Sequence, residues 1–86
     1  MFNPLILEAM QVFKLEIDCG RCSWVGMALV VAMSYEMAVS EYISQSDSGE
    51  FVASGEIVFT KDSRKPIGGL MCDKTKVLCD VVVFDA

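Results

Sequence analysis

Four cysteines carry the thiol or metal chemistry open to this chain of 86 residues: Cys19 and Cys22, and later Cys72 and Cys79. Cys19-Gly20-Arg21-Cys22 is a C-x-x-C with glycine inside it, a half-site for zinc because a tight turn aims two thiolates at one point. A zinc site of Cys19, Cys22, Cys72 and Cys79 would need the later pair to complete it, and six residues separate Cys72 from Cys79. The plainer alternative is that Cys72 and Cys79 are spare thiols buried in a sheet, since cysteine packs as a small apolar group. The chain has no histidine, which excludes His-based triads, His metal ligands and imidazole acid–base pairs. Its eight serines therefore lack a histidine base. Gly68-Gly69 is too short for a phosphate loop and no Lys-Ser or Lys-Thr follows it. Glu36 and Glu41, five positions apart, point away from each other on a helix and form no acid–base pair. The expectation is a non-enzymatic protein without a cofactor, with zinc as the alternative.

The elements that position these residues can be read from apolar periodicity. Asn3-Pro4 followed by Leu5 to Met10 fits either a short helix start or an apolar arm over residues 1–10. From Phe13 to Asp18, apolar Phe13, Leu15 and Ile17 alternate with Lys14, Glu16 and Asp18, the pattern of a half-buried strand. Gly20-Arg21 then predicts a two-residue hairpin turn, which sets Ile17 opposite Trp24, Leu15 opposite Gly26 and Phe13 opposite Ala28. The returning strand over 24–33 is apolar on both faces, so both need cover. Ser34 caps a helix from Tyr35 to Gln45 with Val39, Tyr42 and Ile43 as its apolar stripe. Asp47-Ser48-Gly49 is a turn, and 50–60 reads as a third strand with Gly55 at a bulge. Residues 62–66 form a loop. Ile67–Cys72 and Val77–Phe84, joined by a turn over 73–76, read as a closing hairpin that makes Cys72 and Cys79 diagonal neighbours. The fold class is α+β over a single domain, 1–86: a small antiparallel sheet of four to five strands with one main helix packed on it.

A competing arrangement replaces the returning strand with one long helix from Cys22 to Ser44, because Trp24, Ala28, Val31, Tyr35, Ala38 and Tyr42 recur at helical spacing. Gly26 and the valines among its neighbours favour the strand. In the helical version, strand, then Cys19-Gly20-Arg21-Cys22, then helix resembles thioredoxin and glutaredoxin, and Pro66-Ile67-Gly68-Gly69 is similar to a glutaredoxin fragment. That resemblance covers about half the chain and implies a thiol oxidoreductase with Cys19 and Cys22 as its catalytic pair. It departs from the family in having no room for a helix in 61–65 and in ending on a strand.

Composition and charge point to a partner instead of a substrate. Hydrophobic residues make up 53% of the chain and charged residues 22%, which excludes disorder. A chain this short buries roughly 60–65% of its surface, too little to enclose a deep enzymatic cleft. Its longest uncharged run, Cys22 to Tyr35, is fourteen residues, short of the about 20 a membrane-spanning helix needs. The first seventeen residues lack the positive region and unbroken apolar core of a secretory signal, so the expected compartment is the reducing cytoplasm. The formal net charge is −5, and no lysine or arginine falls between Cys22 and Thr60, where Glu36, Glu41, Asp47, Glu50 and Glu56 lie. One negative surface there would disfavour nucleic acid and membrane and favour a protein partner with a basic groove. Solubility alone could also account for it. The basic stretch of Lys61, Arg64, Lys65, Lys74 and Lys76 holds no interleaved aromatics and is slight for nucleic-acid binding. Small acidic domains of this kind resemble the inhibitors that mobile elements such as phages make against host nucleic-acid enzymes, in which carboxylates stand in for phosphates. The implied function is an inhibitor or regulator docking on a larger protein by its acidic surface or an open sheet edge. A homodimer through the sheet would cover the second apolar face.

Overall fold

The alternation of Phe13 and Leu15 with Lys14 and Glu16 does make a strand, and the rest of the sheet is assembled on it. In the computed structural model, which describes residues 6–18 and 24–84, that strand is β1 (Glu8–Asp18). There follow β2 (Trp24–Ala32), α1 (Tyr35–Gln45), the short α2 (Gly49–Ala53), β3 (Val58–Phe59), a 3₁₀ turn (Lys61–Arg64), β4 (Pro66–Cys72) and β5 (Lys76–Phe84). β1 pairs antiparallel with β2 on one side and with β4 and the two-residue β3 on the other, and β5 pairs with the far edge of β2. The result is a five-stranded antiparallel sheet with one main helix packed against it, the α+β arrangement expected.

Phe13, Leu15, Ala28, Val30 and Ala32 point to one face, where they meet Ala38 and Tyr42 of α1 in a core closed to solvent. The helix begins where the sequence places it. Ser34 is extended and its hydroxyl accepts the Met37 N–H at 3.2 Å, and Glu36 sits favourably in the first turn. Its inner stripe is Tyr35, Ala38, Val39 and Tyr42, with Ile43 half-buried at its margin. Two edge-to-face ring pairs fix the layer, Phe13 with Tyr35 at 6.1 Å and Tyr42 with Phe59 at 5.3 Å.

Several local expectations give way to long-range pairing. Residues 8–10 are strand and not helix, because Glu8, Ala9 and Met10 are partners of Cys72, Met71 and Leu70 on β4. The hairpin register differs by two: Leu15 pairs with Ala28 and Phe13 with Val30. A two-residue shift keeps every side chain on its expected face. The connection itself, with the Gly20-Arg21 turn, Cys19 and Cys22, lies outside the described residues. The expected third strand over 50–60 is cut to Val58–Phe59, with residues 50–53 in α2. Gly49 packs so tightly under the Ile43 carbonyl that a Cβ there would collide with it, and α2 ends at Gly55, which adopts φ +87° where most residues are strained. The Ile57 N–H then bonds back to the Phe51 carbonyl at 3.0 Å, leaving two residues to pair with β1.

The largest correction concerns the closing hairpin. β4 and β5 are not neighbours: β4 adds to the free edge of β1 and β5 to the free edge of β2. The link from Cys72 to Lys76 must therefore cross the ends of β1 and β2, and it does so where Met10, Val31 and Cys72 are buried together on the face away from α1.

Between β4 and β3 the outer edge of β1 is completed by the 3₁₀ turn. The Glu16 N–H donates to the Ser63 hydroxyl at 2.9 Å, and the Glu16 carbonyl accepts the Thr60 N–H at 2.9 Å. Ser63 is buried and lies 3.0 Å from the Thr60 hydroxyl. Ser63→Ala strands a shielded backbone donor, so it is expected to cost about 1–3 kcal/mol in denaturant unfolding without changing the far-UV spectrum. Ser63→Thr, which keeps an acceptor, should recover part of that loss.

Candidate interaction surfaces

The structure separates the cysteines that a metal would need together. Cys72 faces Glu8 on β1, and its thiol donates to the Lys74 carbonyl at 3.3 Å. Cys79 faces Leu29 on β2, half-buried, and Leu29 in turn faces Lys14. From Cys72 to Cys79 is thus three strand spacings across the sheet, about 14 Å, and six residues along it, about 20 Å. A Zn–S bond is about 2.3 Å, so one zinc ion cannot reach both thiols. Among the described residues no group of three or more Cys, Asp or Glu side chains is placed to hold a metal. The order strand, C-x-x-C, helix is not that of this chain either, because Trp24–Ala32 is β2. A helix N-terminus over Trp24 onward, which would stabilise a Cys19 thiolate, is therefore missing.

The acidic residues gather in the helical layer on one face of the sheet. Glu36 and Glu50 are exposed in the first turns of α1 and α2, Asp47 is exposed between the helices, and Glu56 is exposed after α2. Glu50 and Glu56 share a shallow hollow with Phe51 and Ser54. Glu41 is set apart: it is half-buried and lines a broader hollow with Gln45, Lys74, Lys76 and Asp80. The ion pairs among the described residues, Lys14–Glu16 at 2.8 Å and Lys76–Asp73 at 3.4 Å, involve none of the five. Across the Asp73–Lys76 pair, the Asp73 carboxyl is held below its ordinary range by a bond to its own backbone and by Lys76, and Lys76 is held above its ordinary range by Asp73 and Cys72.

One polar cluster was not singled out from the sequence. The Tyr42 hydroxyl lies at the end of α1 among Ser46, Ser48 and Asp80. The Ser46 hydroxyl donates to an Asp80 carboxylate oxygen and accepts the Ser48 N–H at 3.2 Å. This joins the helix to β5. Asp80 is the one charge inside the apolar stretch Val77 to Phe84, and that interruption was the available signal. Burial pushes the Tyr42 hydroxyl above its usual value of 10.0; the Ser46 and Ser48 bonds oppose the shift and the Asp80 charge adds to it. A raised pKa means the neutral phenol is favoured in the folded state. Its contribution is whole below about pH 10 and disappears as pH climbs through the raised value. Unfolding midpoints should therefore fall more steeply above about pH 10 for the natural chain than for Tyr42→Phe, as a pH series of denaturant titrations would reveal.

Among the described residues no helix lies on the opposite face of the sheet. Val25, Met27 and Leu29 of β2, Val81 and Cys79 of β5, Val12 of β1 and Leu70 of β4 lie on this side by the strand pairing. Val25 is 69% exposed and Val81 56%. No helix of the described residues is long and apolar enough to cross a membrane. Comparison with protein-family models, curated proteins and solved structures finds no match.

Proposed function

We propose that this protein is a small, non-enzymatic, acidic binding module that docks its helical layer onto a basic groove of a larger protein, acting as an inhibitor or regulator. The observation that carries this reading is the placement of Glu36, Asp47, Glu50 and Glu56, exposed on α1, α2 and their flanks and outside every ion pair among the described residues. No lysine or arginine interrupts the sequence between Cys22 and Thr60; in space Arg64 lies over the Tyr35 ring at 4.8 Å and Lys74 and Lys76 border Glu41, so the layer is of one sign around Asp47, Glu50 and Glu56 and mixed at its margins. Fields of that kind steer association with an oppositely charged groove and set its orientation. Backing comes from the buried contacts of Ala38 and Tyr42 with the sheet, which hold α1, the element that carries Glu36, against the core. The partner's chemistry follows: a concave surface rich in lysine or arginine, of the sort that nucleic-acid-handling proteins carry.

The test is a comparison of the natural chain with the triple charge reversal Glu36→Lys, Glu50→Lys and Glu56→Lys, each immobilised and exposed to the same cytoplasmic extract. These side chains are exposed, so circular dichroism should be unchanged. The expected result is a protein retained by the natural chain, released by raised salt, and bound at least tenfold more weakly by the triple variant. Equal retention by both would remove the proposal.

A further inference from the structure

We infer that the outer edge of β5 is a docking groove for an extended segment of a partner protein, added as a further antiparallel strand beside α1. β5 ends the sheet: β2 takes one of its edges, and among the described residues nothing pairs with the other. Its register with β2 is regular from Cys79 to Phe84, so alternate residues there turn N–H and C=O outward at the spacing an added strand needs. An unpaired row of this kind is a template for another backbone. The free edge of β4 is a poorer template, because Pro66 has no N–H and Gly68 and Gly69 offer no side chains to pack on.

What sets β5 apart is the hollow at its start, of about 610 Å³, to which α1 contributes Glu41 and Gln45. Cys79 and Asp80 both line it, although Cys79 faces away from α1 with Leu29 and Asp80 faces toward it with Ala28. The hollow therefore opens on the edge of the strand and not on one face of the sheet. The extra residue at Leu78 interrupts the register there, which leaves backbone pairing to residues 79–84 and the hollow to side chains.

Charge chooses the occupant. Glu41 and Lys74 share the hollow, yet neither enters an ion pair among the described residues. On β5 itself Asp80 stands four residues beyond Lys76, about 13 Å along the strand. An antiparallel strand laid on β5 runs from Phe84 toward Lys76. Its complementary form has a basic side chain over Asp80 and Glu41, and a carboxylate about four residues later over Lys76 and Lys74. Apolar or β-branched neighbours then pack beside the exposed Leu78 and Val81. A second copy fits less well. Antiparallel pairing of two β5 edges puts both α1 helices on the same face of one continuous sheet, with Glu41 toward Glu41 and two charges of −5 side by side.

The test adds a synthetic probe to the isotopically labelled full chain: a capped peptide of about nine residues, alternating threonine and valine, with a lysine and then a glutamate about four positions later. The expected dissociation constant is about 100 µM, with shifted amide signals along residues 79–84 and at Glu41 and Lys74. N-methylation of the alternate probe amides that face β5 should weaken binding at least tenfold, and methylation of the other set should leave it unchanged. Combining Glu41→Lys with Lys74→Glu should invert the preference, so that a probe with its lysine and glutamate exchanged binds about tenfold better than the original. Unshifted β5 amides at about 1 mM probe, equal binding of the two methylated probes, or a charge reversal without effect would each overturn the proposal. Protection of the β5 amides that grows with protein concentration in the absence of probe would assign the edge to a second copy and overturn it too. This groove lies outside Glu36, Glu50 and Glu56, so its failure leaves the docking of the helical layer standing, and the reverse holds as well.

Discussion

Saturation of β1 on both edges is the constraint from which the rest of this structure follows. Its inner edge is taken by β2, and its outer edge is shared end to end by β4, the Ser63 hydroxyl and β3. A buried strand must find partners for every backbone donor and acceptor, because each orphan costs about 1–3 kcal/mol. Once β1 is central, Phe13 and Leu15 are forced into the middle of the sheet, where both are closed to solvent and define where α1 has to sit. The helix covers β1, β2 and β5. That placement sets the acidic side chains outward from the helical layer and leaves Val25, Met27 and Val81 exposed on the other face.

How much of this could be read in the residues depended on the range of the interaction involved. The Ser34 cap and the limits of α1 were legible because they are set by neighbours three or four positions apart, and the alternation of β1 was legible for the same reason. The two apolar faces of β2 announced that one helix could not cover the sheet. The partners of β4 and β5 were not legible. Asp73-Lys74-Thr75-Lys76 between two apolar runs has the chemistry of a hairpin turn, and no local signal says that each run is drawn to a different edge of a hairpin made sixty residues earlier in the chain. Residues 50–60 misled for another reason: Phe51 and Ala53 fit a period of two, but Gly49 under Ile43 and the positive φ of Gly55 make the first half a helix.

The candidate sites divide along the same line. Exposure of Glu36, Asp47, Glu50 and Glu56 followed from their residue type, whereas the position of Glu41 beside Lys74 and Lys76 required knowing that β5 begins next to the end of α1. Cys72 and Cys79 looked close while β4 and β5 were imagined as a pair. The crossing of the sheet between them separates the two thiols and leaves each to its own surroundings. Asp80, a charge in an apolar strand, has a partner in Ser46 that becomes visible when the helix is laid over β5.

The pairing of the two late strands with opposite edges is therefore the claim that decides between this architecture and a simpler meander. Backbone proton NOEs in a uniformly labelled sample report it directly. Cross-strand contacts between Met10 and Leu70, and between Leu29 and Cys79, are the predicted result, together with slow amide exchange along β1. Contacts between Leu70 and Cys79 instead, with the outer edge of β1 exchanging freely, would contradict it.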